Sequence, residues 1–214
     1  KRRRIVLKKI GILGGTFNPV HSMHIRMAEK SREIMKLDQV IFIPSANPPH
    51  KSGFEIESFL HRFNMVEIAI DGIEGFSVSN IENKINHRKS YTVDTLRALK
   101  LIYPDDRLYF IVGSDCVFQV ESWNNPDDIF MLCELVVFER PDVSTHEELM
   151  EKIHYLEKKY SAKIHYLGPF TENVSSSDIR DRINEDDFKI KDLNDKIIKY
   201  IKENDLYKEQ DGKL

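Results

Sequence analysis

The stretch Gly11-Ile12-Leu13-Gly14-Gly15-Thr16-Phe17-Asn18-Pro19-Val20-His21-Ser22-Met23-His24 decides how this 214-residue chain is read. An apolar run, Ile5 to Leu13, reaches a glycine pair and is followed past one turn by a segment of helical period, Ser22 to Met35. That is a strand delivered straight into a helix. Gly14 and Gly15 end the strand, and without Cβ atoms they let backbone N–H groups approach an anion closely. His21 and His24 fall on one face of the first helical turn, where both can point at one phosphate chain. A glycine pair alone is more often a plain tight turn, but this pair stands at a strand end with two histidines behind it. A zinc site would need a third ligand, which the neighbourhood does not supply.

The same rhythm continues outward. Val40 to Ile43 reads as a strand, Ser58 to Ile70 as a helix, Phe76 to Ser79 as a strand and Tyr91 to Leu101 as a helix. Leu108 to Val112 is a strand with a short helix after Ser114, and Leu135 to Phe138 is another strand. Such alternation predicts an α/β fold, a doubly wound Rossmann-like parallel sheet with helices on both faces. Beyond Arg140-Pro141 the texture becomes charged and helical: His146 to Tyr160, a short strand Lys163 to Tyr166, then Ser176 to Ile183 and Leu193 to Glu203. The expectation is one domain over residues 1–214, with a core at about 8–141 and a helical C-terminal subregion at about 142–207 packed on the same sheet.

Composition narrows the class. Hydrophobic residues are 41% and charged residues 31%, and no apolar run approaches the roughly 20 residues of a membrane span. A net charge of −3 argues against nucleic-acid binding, and the basic run Lys1 to Arg4 reads as a solvated tail. Cys116 and Cys133 fit neither a zinc site nor a redox pair, and no secretory signal pattern is present, so a cytoplasmic setting is expected. The first residue is Lys1 rather than Met, which leaves the true start of the chain open.

Other segments fall where ligands gather in such folds, at the carboxyl ends of the strands. Val174-Ser175-Ser176-Ser177-Asp178-Ile179-Arg180 places a serine cluster before a helix, where hydroxyls cap orphan N–H groups and the helix dipole attracts anions. Arg180 lies one turn on from Ser176, positioned to grip phosphate oxygens. Pro48-Pro49-His50-Lys51 is a stiffened loop that offers a cation, and Ser90-Tyr91-Thr92 opens a helix whose free N–H groups suit a carboxylate. Gly113-Ser114-Asp115 ends a strand with a carboxylate suited to ribose hydroxyls, and Trp123 is the sole tryptophan, in a polar loop where a flat ring can stack on a base. Each also has an ordinary structural reading: a capped helix, a surface loop, a packing tryptophan.

Taken together these segments resemble the nucleotidyltransferase superfamily with the H-x-G-H element. The Gly-Gly-Thr-Phe-x-Pro-Val-His form is similar to that of bacterial nicotinate mononucleotide adenylyltransferases. Val174 to Arg180 resembles that family's I-S-S-T-x-I-R motif, Ser90 to Leu96 its S-Y-T-x-x-T-L segment, Arg140-Pro141 its R-P pair, and Tyr200 to Tyr207 its closing helix. Two positions depart: Asn18 stands where the family usually has Asp, and Met23 replaces the Gly of H-x-G-H. The resemblance implies adenylyl transfer from ATP to nicotinate mononucleotide, with Mg2+ carried on the nucleotide and no dedicated protein metal site. It implies His21, His24 and Arg180 as the catalytic set. Gly14, Gly15, Thr16, Phe17, Gly113, Asp115, Ser175, Ser176 and Ser177 would hold ATP, and Lys51, Ser90, Tyr91, Thr92, Trp123 and Arg140 the acceptor. His24 is the leading candidate for the largest single effect. Nicotinamide mononucleotide or phosphopantetheine as acceptor, or a nucleotide sensor without turnover, are the alternatives. No membrane or nucleic-acid partner is expected, and homo-oligomerisation stays open.

Overall fold

The computed structural model describes residues 7–48, 56–85, 89–140, 142–170, 174–183 and 192–208. Six strands are found there: β1 (Lys9–Gly15), β2 (Gln39–Pro44), β3 (Phe76–Val78), β4 (Arg107–Gly113), β5 (Glu134–Glu139) and β6 (Ile164–Pro169). All pair in parallel, in the order β3-β2-β1-β4-β5-β6. This is the doubly wound order, with the change of direction between β1 and β4.

Strand alternation splits the core in two. Ile10, Ile12, Ile41, Ile43, Phe110, Val112, Leu135 and Val137 point to one face. There they meet α3 (Ile81–Ile85), α4 (Thr92–Ile102), α5 (Ser114–Gln119), α6 (Pro126–Leu132) and α7 (His146–Tyr160). Leu13, Val40, Phe42, Tyr109, Ile111, Val136 and Phe138 point to the other face. Against them pack α1 (Ser22–Met35), α2 (Phe59–Ile70), α8 (Ser176–Arg182) and α9 (Asp195–Glu203). Strands buried on both faces explain why the sequence shows near-continuous apolar runs rather than alternation.

The expected elements are present within a few residues of their predicted ends. Strand β1 begins at Lys9 and runs through the glycine pair to Gly15, while Ile5 and Val6 lie outside the described residues. Helices α3 and α6, of 5 and 7 residues, have no counterpart in the sequence reading, because so few residues show no helical period. The predicted C-terminal subregion divides between faces: β6 extends the sheet beside β5, α7 packs against α5 and stacks Tyr160 on Phe130 of α6, and α8 and α9 cross to the other side.

The sheet register opens the site. Pairing of β1 with β4 ends at Ile12 and Phe110, whereas β1 stays paired with β2 to Gly15 and β4 with β5 to Gly113. The ends of β1 and β4 therefore part, and a cavity of about 950 Å³ lies at that parting.

Candidate active site

The cavity gathers most of the predicted set. Its walls include Gly14, Gly15, Thr16, His21 and His24 from the β1–α1 segment, and Ser175, Ser176 and Ser177 from the start of α8. Ser90, Tyr91 and Thr92 at the start of α4, Gly113 and Asp115 after β4, Trp123, and Arg140 after β5 also line it. Phe17 and Arg180 do not reach the wall, and Lys51 and His50 lie outside the described residues.

The β1–α1 turn is built for close approach. A Cβ on Gly15 would stand 3.1 Å from two atoms of the Phe17 ring, so Gly15 lets Phe17 fold beneath the backbone. Phe17 is buried and left-handed at φ 49°, a conformation that disfavours bulky residues and persists only when its surroundings hold it. Its ring meets His24 edge-on at 4.9 Å between centroids. Gly113 serves the same purpose on β4: a Cβ there would lie 2.5 Å from Asp115 Oδ1, so its absence lets the carboxylate fold back at the cavity.

His21 is the N-cap of α1, and its backbone N–H donates to His24 Nδ1 at 3.2 Å. Because an amide can only donate, Nδ1 accepts, and the neutral imidazole of His24 carries its proton on Nε2. The two rings lie 3.9 Å apart between centroids. Burial pushes His21 down to about 4 despite the opposing pull of Asp192. Burial, then His21 and Arg140, hold His24 well below the ordinary imidazole value. Both are therefore neutral donors near pH 7, not cations. His21 Nδ1 is buried and makes no hydrogen bond among the described residues. Such an atom costs about 1–3 kcal/mol until a partner arrives, and a phosphate oxygen suits that role once the nitrogen carries a proton.

At the start of α8 the hydroxyls serve the fold as well as the cavity. Ser175 Oγ caps α8 by accepting from Asp178 N at 3.1 Å, and Ser176 Oγ donates to the Pro19 carbonyl at 2.9 Å. Arg180 donates from Nη1 to the Asn18 carbonyl at 2.8 Å and from Nη2 to Ser177 Oγ at 3.3 Å. The serine helix start is thus stitched to the β1–α1 turn, which brings together the two segments expected to hold phosphate.

On the other face, Tyr91 is the N-cap of α4 and no side chain caps that helix. Ser90 exchanges two bonds with Asn47: Ser90 N donates to Asn47 O at 2.9 Å, and Asn47 N to Ser90 Oγ at 3.0 Å. Trp123 stands edge-on to Phe110 at 6.4 Å between centroids. Its loop is fastened by Glu121, which collects Lys152, Lys159 at 2.7 Å and Tyr160 at 3.1 Å, and hydrogen bonds from both lysines draw its carboxyl down to about 2. Arg140 N donates to buried Ser114 Oγ at 3.0 Å, and its guanidinium is 3.7 Å from Asp142.

Sequence reasoning missed several residues. Met23, noted only as a departure, lines the cavity together with Met27. Glu82 of α3 also lines it, accepting from Thr95 Oγ1 at 2.9 Å and Ala46 N at 3.2 Å, and nothing in the sequence marks it. Arg62, 2% exposed, donates from Nε to the Glu57 carbonyl at 2.8 Å and from Nη1 to the Thr16 carbonyl at 2.7 Å. Its signal was available: Arg62 occupies the stripe that Met65, Val66 and Ile70 bury. Cys116 faces the cavity too, but burial pushes its thiol up to about 12, which makes it a poor nucleophile.

A family model described as cytidylyltransferase-like matches residues 12–182. A protein of Clostridium botulinum (strain Eklund 17B / Type B) named "Probable nicotinate-nucleotide adenylyltransferase" is 42% identical over 205 residues, covering 95% of this chain and 100% of that protein. One of Clostridium perfringens (strain 13 / Type A) with the same name is 40% identical over 179 residues, covering 84% and 88%. Among solved structures, Plasmodium falciparum nicotinic acid mononucleotide adenylyltransferase complexed with NaAD has a TM-score of 0.76 at 22% identity, covering 94% of this chain and 97% of that one. That likeness shows the shared fold.

Proposed function

The chain belongs to the cytidylyltransferase-like family and, within it, to the nicotinate-nucleotide adenylyltransferases, and from there we propose that its cavity joins ATP to nicotinate mononucleotide. The products are nicotinate adenine dinucleotide and pyrophosphate, a step of NAD biosynthesis. One observation carries this reading: the glycine–histidine segment, the serine helix start, the open end of α4 and Trp123 all meet in the cavity where β1 and β4 part.

A phosphate oxygen of the mononucleotide attacks the α-phosphorus of ATP in line. The bond from that phosphorus to the bridging oxygen breaks, and pyrophosphate leaves with the electron pair. No general base is needed, because a phosphate monoester is already anionic near neutral pH. Catalysis is positioning and charge stabilisation by groups fixed beforehand. The Nε2–H of His24, the imidazole of His21, and the backbone N–H groups of Gly15 and Thr16 face the triphosphate. Arg180, which does not reach the cavity wall, acts from behind it: Nη1 holds the turn through the Asn18 carbonyl and Nη2 holds Ser177 Oγ, so it positions both segments. The N-terminal amides of α4 receive the nicotinate carboxylate, Trp123 stacks on the pyridine ring, and Arg140 faces the acceptor phosphate.

Mg2+ would be carried on ATP, where it would shield the charge of the triphosphate and of the pyrophosphate formed. Imidazole, hydroxyl and amide groups on the donor side suit phosphate oxygens, and among the described residues no three His, Cys, Asp or Glu side chains are grouped to hold an ion. The two free thiols, Cys116 and Cys133, support a cytoplasmic setting, and no described helix is long and apolar enough to cross a membrane.

The test offers the purified protein ATP and Mg2+ with nicotinate mononucleotide, nicotinamide mononucleotide or phosphopantetheine, and measures pyrophosphate release. Release strongest with nicotinate mononucleotide is expected. Faster release with another acceptor reassigns the acceptor, and none with any of them removes the enzymatic reading.

A further inference from the structure

The closing segment of the chain returns to the donor turn. Leu206 is buried in the same core cluster as Phe17, and Tyr207 reaches the turn from there. Tyr207 OH donates to Asn18 Oδ1 at 3.1 Å, and Tyr207 N donates to Glu57 Oε1 at 3.0 Å. Glu57 N donates to the same Asn18 Oδ1 at 3.0 Å. Asn18 is 1% exposed and its carbonyl holds Arg180, while Arg62 holds the flanking Thr16 and Glu57 carbonyls. Residues 16–18 are thus bound from three distant parts of the chain: the start of α2, α8, and the C-terminal segment.

We propose that Tyr207 is a positioning residue for the ATP side of the reaction, acting on His24 through Asn18 and Phe17. This rests on the adenylyl-transfer reading above. Phe17 is held left-handed between the two anchored residues Thr16 and Asn18, and a backbone in that region relaxes when its anchors are loosened. The Phe17 ring is the edge against which His24 packs. Losing the Tyr207 hydroxyl therefore loosens the Asn18 side chain, which keeps its bond from Glu57 N, and lets Phe17 and the His24 ring packed on it shift, while leaving α4 and Trp123 on the opposite face untouched. Tyr207 itself does not line the cavity, so its effect is indirect.

The experiment compares Tyr207→Phe with Tyr200→Phe in the full chain. Tyr200 lies in the same closing segment, but its hydroxyl meets His61 Nδ1 and Asn64 Nδ2, each at 2.9 Å, and does not touch residues 16–18. Pyrophosphate release is measured while ATP and nicotinate mononucleotide are varied in turn, alongside thermal melting. Tyr207→Phe is expected to lower kcat/KM for ATP by roughly tenfold, the size of one lost hydrogen bond, with KM for the mononucleotide unchanged. Tyr200→Phe is expected to lower the melting temperature without that selective loss. Unchanged ATP kinetics in Tyr207→Phe, or an equal loss in both variants, overturns the proposal. If the unmodified protein releases no pyrophosphate, it is the adenylyl-transfer reading that falls instead.

Discussion

The carbonyls of Thr16 and Asn18 are each held by a guanidinium from elsewhere in the chain, whereas Ser90 to Thr92 and Trp123, on the other face of the sheet, are half-buried and fastened mainly at their margins. On the donor side, buried side chains grip backbone, fix one geometry and leave neutral histidines facing the cavity. On the acceptor side, helix N–H groups and a ring edge offer recognition with less preorganisation. The difference matches the chemistry proposed for each side. Charge develops on the triphosphate as the bond breaks and must be met by groups already in place, while the acceptor needs only to be selected and aimed.

If the donor side carries the chemistry, its groups should dominate the kinetics. His24→Ala is expected to lower kcat for pyrophosphate release by about 10²–10³-fold, the scale of losing one preorganised donor; a loss below tenfold would show that the two sides share the chemistry more evenly. Arg62→Met should act first on folding. It leaves the Thr16 and Glu57 carbonyls without their buried donor, an expected loss of about 2–4 kcal/mol in denaturant unfolding.

The buried histidines also set an acid limit. Native His21 titrates at about 4 against 6.5 in the unfolded chain, so between those values the unfolded state binds a proton that the native state refuses. Stability therefore falls as pH drops through that window, by up to about 3 kcal/mol at its lower end from this residue, and is unaffected by it above pH 6.5. His21→Gln should flatten that part of the stability profile measured in urea; an unchanged slope would show that His21 is not the group responsible.

The smallest effect belongs to the acceptor side. Thr95→Val removes the hydroxyl that fixes Glu82, which ties α4 to the loop after β2. KM for nicotinate mononucleotide should rise about fivefold, the worth of one modest hydrogen bond, with KM for ATP unchanged. A matching rise in KM for ATP would mean that the two walls do not work independently.

Much of this was legible in the sequence, for reasons that differ by element. Strands β1, β2, β4 and β5 are unbroken apolar runs because both faces are buried, and a run of that kind is visible without knowing its partners. The glycine–histidine and serine–arginine segments were equally visible because Gly14-Gly15 with His21 and His24, and Ser175 with Arg180, each fall within a short stretch of chain. Helices α3 and α6 were not visible, since 5 and 7 residues cannot show a period. Arg180 was legible as a cation beside the serine helix start, but its bond to the Asn18 carbonyl was not, because Asn18 lies 162 residues away.

Local pattern and short-range motif thus determined the parallel α/β class, the glycine turn and the paired histidines, all of which depend on residues a few positions apart. Only the tertiary structure decided that β1 and β4 part beyond Ile12 and Phe110, that Arg62 is the buried cation under Thr16, and that Tyr207 closes on Asn18. Those contacts join residues 46 and 189 positions apart, and at such separations composition and periodicity carry no signal. The meeting is set by how the whole chain winds around its sheet.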